Sequence, residues 1–202
     1  MRPNKSVRCI DFPCLDIVKD RYVVPSIEVE PEKIRAIMVS EAPPQETNDY
    51  FYAENNPFYA QTTVQAFNDA GFNVSSMTDV LNLGVYVTTA IKCAKTAYDI
   101  SPKTLENCCV RILEKEIALF PKARTLLLMG DTAIRAMNCI AKRNTGKSII
   151  PSGPTYKIRK NKYSYEQFSV FPSYLQTGKS YLIEKSKRKM LAEDIKTALA
   201  HR

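Results

Sequence analysis

The sequence predicts an α/β domain, three layers deep, in which a central and mostly parallel sheet carries helices on both faces. Two observations lead there. Apolar runs of strand length alternate with longer stretches whose apolar residues recur at helical spacing, the pattern of strand–helix crossovers. Residues 125–129 read Thr-Leu-Leu-Leu-Met, an unbroken apolarity that suits a strand covered on both faces. The 202 residues are enough to bury a proper core, and no linker, repeat or low-complexity stretch divides them. We therefore expect one domain over residues 1–202, with residues 1–30 as an N-terminal arm.

The elements follow in order. Residues 34–39 form a short apolar run ending in a Pro- and acid-rich loop, the first central strand. Residues 61–70 form a helix with Val64, Phe67 and Ala70 on one face and Gly71 as its stop signal. The β-branched residues of 85–91 make a second strand. Ser101 caps, and Pro102 opens, a helix striped by Leu105, Cys109, Ile112, Leu113, Ile117 and Phe120. Residues 125–129 are the third strand, and Gly130-Asp131-Thr132 opens a helix running through Ile140. Residues 156–158 and 165–170 are expected as later strands, and 182–199 as the C-terminal helix.

Lys and Arg number 29 against 21 Asp and Glu, a formal net charge of +8, thickening at residues 142–143, 157–162 and 185–189. Such a surface attracts phosphates by charge and counterion release, although a basic face can also simply be solvated. No apolar stretch is long enough to span a bilayer. Met1-Arg2-Pro3-Asn4-Lys5 leads into no apolar signal segment, so a reducing, cytoplasmic setting is expected, nucleoid-associated in a prokaryote. That disfavours disulfides for the six cysteines and leaves metal, cluster or core roles. Cys9 and Cys14 lie in the arm; Cys93 follows the second strand, and Cys109 lies about two turns into the next helix. Four such thiolates are a workable iron–sulfur ligand set. Cys108, Cys109 and Cys139 also sit in helical apolar patterns, where a free cysteine is a small buried hydrophobe. Cys108 is the natural substitute for Cys109 if the register differs by one.

In a parallel sheet, ligands bind beyond the carboxyl ends of the strands. Three loops belong there: Ser40-Glu41-Ala42-Pro43-Pro44-Gln45-Glu46, Thr88-Thr89-Ala90 and Phe171-Pro172-Ser173-Tyr174. Taken singly, each suits a surface turn as well as a site; their shared edge is what singles them out.

Together these segments resemble the uracil-DNA glycosylase superfamily, most closely its iron–sulfur branch. Ser40-Glu41-Ala42-Pro43-Pro44 is similar to that branch's Gly-Glu-Ala-Pro-Gly motif. Pro57-Phe58-Tyr59-Ala60 is similar to Pro-Phe-Val-Gly, whose phenylalanine stacks on the base. Residues 87–93 resemble the strand bearing an asparagine and then Lys-Cys, and Leu128-Met129-Gly130-Asp131-Thr132-Ala133 resembles the step Leu-Gly-x-x-Ala. Phe171-Pro172-Ser173-Tyr174-Leu175 is similar to the second motif, His-Pro-Ser-Tyr-Leu. The resemblance runs from about Cys9 to the last helix. It implies a DNA glycosylase acting on uracil or another damaged base, a monomer with DNA as its partner. Glu41 would be the catalytic carboxylate, with Ala42, Pro43, Phe58, Thr89, Phe171 and Ser173 around the base. A 4Fe–4S cluster would sit on Cys9, Cys14, Cys93 and Cys109.

The departures carry consequences. Thr89 stands where the family reads uracil with asparagine, and a hydroxyl cannot present the paired donor and acceptor of an amide. Phe171 stands where a histidine supports the departing base; the sole histidine, His201, lies outside every motif. Ser40 and Pro44 replace glycines, and the arm cysteines are separated by four residues where the branch usually has two. The implied enzyme is therefore slow or differently selective. The alternative is a member that binds nucleic acid without excising a base.

Overall fold

A five-stranded sheet lies at the centre of the computed structural model, which describes residues 1–200, the side chains of Lys179 and Ser180 aside. His201 lies outside the described residues. The arm holds helix α1 (Pro3–Ser6) and strand β1 (Ile17–Val18). Then come β2 (Ala36–Ser40), α2 (Phe58–Asp69), α3 (Met77–Asn82), β3 (Val85–Thr89) and β4 (Ala94–Lys95), the last pairing antiparallel with β1. α4 (Pro102–Cys108) leads through a π-helical turn (Cys109–Leu113) into α5 (Glu114–Ile117). The chain ends with β5 (Thr125–Met129), α6 (Asp131–Thr145), α7 (Thr155–Ile158), β6 (Tyr163–Tyr165), β7 (Phe168–Ser173), α8 (Lys179–Ile183) and α9 (Lys185–Ala200).

The sheet order is β3-β2-β5-β7-β6, parallel except for β6, which pairs antiparallel with β7. Successive strand residues point to opposite faces, so each inner strand feeds two cores. Ile37, Val39, Leu126 and Leu128 pack with Leu105 and Met137 on one face. Met38, Leu127 and Met129 pack with Phe67, Leu191 and Ile195 on the other. This is the expected three-layer α/β arrangement. Every residue of β2, β3 and β5 is buried, which accounts for their unbroken apolarity.

Ser101 caps α4 by accepting the Thr104 N–H, with Pro102 opening the helix, as the sequence predicts. Other expectations are corrected. Residues 156–158 are a helical turn, because the Pro154 carbonyl accepts from the Lys157 and Ile158 amides. The strand expected over 165–170 straddles a hairpin that turns at Glu166, with φ 49°, into β7. The C-terminal helix is divided into α8 and α9. The expected helix after Ser101 keeps its stripe but passes through the π turn, a local widening often found at functional sites.

Candidate functional site

The strand ends align. Ser40 pairs with Thr89 and Met129 with Ser173, so Glu41, Ala90, Gly130 and Tyr174 leave the sheet along one edge. Backbone pairing continues one step further: Ala90 donates to the Ser40 carbonyl at 2.8 Å, Ile91 to Glu41 at 2.9 Å, and Gly130 to Ser173 at 3.0 Å. The Glu41 carboxylate lies across Gly130 at the start of α6. Its Oε1 accepts the Thr132 N–H at 3.4 Å, and its Oε2 is 3.6 Å from Lys95 Nζ. Gly130 has φ 92° and ψ 169°, a region open essentially to glycine alone. A Cβ there would meet Glu41 Oε1 at 2.7 Å, so the glycine is what lets the carboxylate lie over the helix start. The amide end of α6 and the Lys95 ammonium both favour negative charge at this point. The Glu41 side chain is 22 % exposed and opens into a hollow with Asp131, Tyr174, Leu175 and Lys187.

The other expected site residues divide. Ala42 and Pro43 are buried beneath the loop. Thr89 is fully buried, and among the described residues neither its hydroxyl nor that of Tyr50, which lies beside Thr88 and Thr89, makes a hydrogen bond of ordinary geometry. Phe58 opens α2, half-buried, but lines a different hollow with Asp49, Asn55 and Asn56. The next residue of α2, Tyr59, packs against the α2–α9 core instead. Burial raises its hydroxyl pKa, and the charge of Glu41 adds to the rise.

Phe171 and Ser173 are not brought to Glu41. β7 runs on through Ser173, so Phe171 sits within the strand opposite Leu127, packs against the α2–α9 core and lines a separate hollow with Lys160 and Lys162. The Ser173 hydroxyl donates to Asp194 Oδ2 at 2.5 Å. Asp194 is in turn paired with Arg159 at 2.6 Å; burial pushes its pKa up, against the opposing pull of Arg159 and Ser173. The residues of this segment that face Glu41 are Tyr174 and Leu175. Several cations of the basic runs also have structural partners: Arg159 as described, Arg143 with Glu114 at 2.5 Å, Lys187 with Glu184 at 2.6 Å, and Arg188 with Asp69 at 2.6 Å.

Four cysteines converge elsewhere. Cys9, Cys14, Cys93 and Cys108 line one narrow, largely apolar hollow with Phe12, Ile17, Tyr22 and Ile112. Burial pushes the Cys93 thiol up to about 12, with Cys108, Cys9 and Cys14 adding to the rise. Burial raises Cys108 to about 11 against the opposing influence of Lys92, whose backbone N–H donates to Cys108 Sγ at 3.2 Å. Cys109 turns away. It is buried in the α4–α6 core, where burial and the neighbouring Cys139 hold its pKa high. The arm is tied down around the four: Cys9 N–H donates to the Tyr22 hydroxyl at 2.9 Å, Ser101 N–H donates to Asp16 at 2.6 Å, and Arg111 pairs with Asp11 at 2.7 Å. Among the described residues no three His, Cys, Asp or Glu side chains are placed to share one metal ion. A four-iron cluster takes one thiolate per iron, so its ligands need not share an ion.

One group escaped sequence reading altogether. Lys92 and Glu116 are both fully buried and form an ion pair. The Lys92 ammonium also donates to Thr88 Oγ1 at 2.8 Å and to the Thr89 carbonyl, while Glu116 Oε1 accepts from Tyr86 at 2.6 Å and from Thr88 at 2.8 Å. A lysine before a cysteine and a glutamate in a helical stripe give no signal of this, because the partners are remote in sequence.

A parallel sheet with a carboxylate seated between a strand end and a helix start defines an α/β protein with a ligand site at its carboxyl edge. The family model for the uracil DNA glycosylase superfamily matches residues 27–196, and the chain belongs to that superfamily. Membership points to a DNA glycosylase-type role and to DNA as what the protein binds. None of the curated proteins compared with the chain matches it. No described helix is long and apolar enough to cross a membrane.

Proposed function

We propose that this protein is a DNA glycosylase that hydrolyses the N-glycosidic bond of uracil or another damaged base, acting as a monomer in the cytoplasm. The observation that carries the proposal is the placement of Glu41, anchored at a strand end by the start of α6 and by Lys95 while its carboxylate stays open to the hollow. In the reaction, the C1′–N bond breaks as the base leaves with the bonding electrons, and positive charge develops on the sugar. Glu41 offsets that charge and accepts a proton from the water whose oxygen bonds to C1′. The departing base is protonated from solvent. Thr89 holds the motif position that would read the edge of a flipped base, but it is fully buried beside Tyr50 and is not among the residues lining the Glu41 hollow. Leu175 offers the leaving group no hydrogen bond, so the rate is expected to be low. Glu41→Gln should leave oligonucleotide affinity within about twofold and lower single-turnover excision by about 10²-fold. Excision undiminished by that substitution would remove Glu41 from the chemistry. The non-catalytic reading is favoured by one observation, that Thr89 is fully buried. It prevails if neither the natural protein nor a histidine variant at position 175 excises a base while both bind DNA.

We also propose the iron–sulfur branch, with a 4Fe–4S cluster on Cys9, Cys14, Cys93 and Cys108. The donor set fits: four thiols from the arm, the β3–β4 connection and α4 around one hollow. Cys108 takes the place that spacing had given to Cys109. A bound cluster would fix the arm to the domain, with thiol protons released as it binds. After anaerobic purification, Cys108→Ser should lose iron and visible absorbance while Cys109→Ser keeps both. Colourless, iron-free natural protein would refute the cluster; the reverse pattern in the two variants would restore Cys109.

A further inference from the structure

Large exposed aromatics gather around the Glu41 hollow. Tyr98 is 91 % exposed and, with Tyr174, lines the hollow; Tyr156, 51 % exposed, stands beside Thr155, which lines it too. Each ring carries a lysine: Lys95 Nζ lies 5.6 Å from the Tyr98 centroid, Lys157 Nζ 5.9 Å from Tyr156, and Lys187 Nζ 5.6 Å from Tyr174. A lysine held over a tyrosine presents a flat π surface and a positive charge side by side. Protein grooves that bind unpaired nucleotides combine these two features, with bases stacked on the rings and phosphates near the cations.

The carboxylates gather inside the hollow, each facing a cation at its edge. Glu41, Asp131 and Glu184 are within it, although Glu184 is neutralised by Lys187 at 2.6 Å and Asp131 faces Arg135 at 3.6 Å. Lys95 and Lys187 are themselves paired with Glu41 and Glu184, so phosphates are repelled by the carboxylates of the interior and drawn to the basic residues beyond it, Lys157 among them. A strand crossing the rim would therefore keep its backbone outward and turn its bases inward onto the tyrosines. Only unpaired bases can do this, because a duplex hides its base faces in the stack.

Resting on the reading of Glu41 as the reaction centre, we propose that Tyr98, Tyr156 and Tyr174 form a stacking platform for unpaired bases flanking the target, and that the preferred substrate is single-stranded DNA. The test is fluorescence anisotropy of the full chain with an undamaged labelled oligonucleotide, alone and annealed to its complement, at one fixed salt concentration. Undamaged DNA makes the readout independent of excision. The single strand should bind at least about tenfold more tightly than the duplex. Tyr98→Ala and Tyr156→Ala should each weaken single-strand binding roughly 5- to 100-fold, the range of a lost base–aromatic stack, and change duplex binding less than about twofold. Tyr98→Phe, which keeps the ring, should bind as the natural protein does. Equal affinity for both forms, or equal losses on both in the alanine variants, would overturn the platform. If the preference holds but uracil oligonucleotides are never cleaved, the glycosylase reading fails and the platform stands; if cleavage occurs without the preference, the platform alone fails.

Discussion

Lys92→Met should destabilise the protein by about 3–5 kcal/mol, the cost of leaving a buried carboxylate without its counter-charge. Glu116 is fully buried, and its remaining partners, Tyr86 and Thr88, donate two hydrogen bonds but no charge. Glu116→Leu alone should cost a similar amount, because it strands the Lys92 ammonium. The double variant Lys92→Met/Glu116→Leu should recover much of the loss, since apolar replacements of similar volume often match or exceed a buried pair. Urea unfolding of the four proteins measures the coupling. Additive losses would show that the two side chains do not act as a pair. The pair joins the end of β3, below Thr89, to the helical segment that carries Cys108. Its loss should therefore also loosen the region holding the four cysteines.

Much of this architecture was legible in the sequence because it rests on local signals. The apolar run of β5 reads directly as a strand buried on both faces, and Ser101-Pro102 reads as a helix start, since both features act within a few residues. The short elements were not legible. α3 begins at a capping box between Ser76 and Asp79, and β1 and β4 are two-residue strands paired, among the described residues, with each other. Residues 156–158 have the look of a strand in the sequence, but the Pro154 carbonyl turns them into the helix α7, and Asp194 claims the next residue, Arg159. Site residues fared according to how closely a strand end could be located. Glu41 follows β2 immediately and was placed correctly at the edge. For Cys108 and Cys109, a one-residue ambiguity on a helix decides which thiol faces the arm, and helical spacing alone cannot resolve it. The same difficulty displaced Phe171, because the sequence does not show that β7 continues for two residues beyond it.

That displacement leads to the second large effect. Leu175→His should raise uracil excision by about 10²–10³-fold over the natural protein, the typical worth of one donor placed at developing negative charge. Leu175 lines the Glu41 hollow, so an imidazole there would share the hollow with the carboxylate. Phe171→His, the change suggested by motif order alone, should not raise the rate. Position 171 lies inside β7 against the α2–α9 core, and the substitution should instead lower the unfolding midpoint by introducing a polar ring into that packing. Single-turnover cleavage of a uracil oligonucleotide by the natural protein and both variants separates the two positions. A gain at 171 with none at 175 would mean that β7 ends earlier when DNA is bound. A gain confined to 175 would establish that the site lacks only a leaving-group donor, with Glu41 already in place. Adding Glu41→Gln to Leu175→His should then abolish that gain, because a donor for the base cannot replace the carboxylate that balances charge on the sugar.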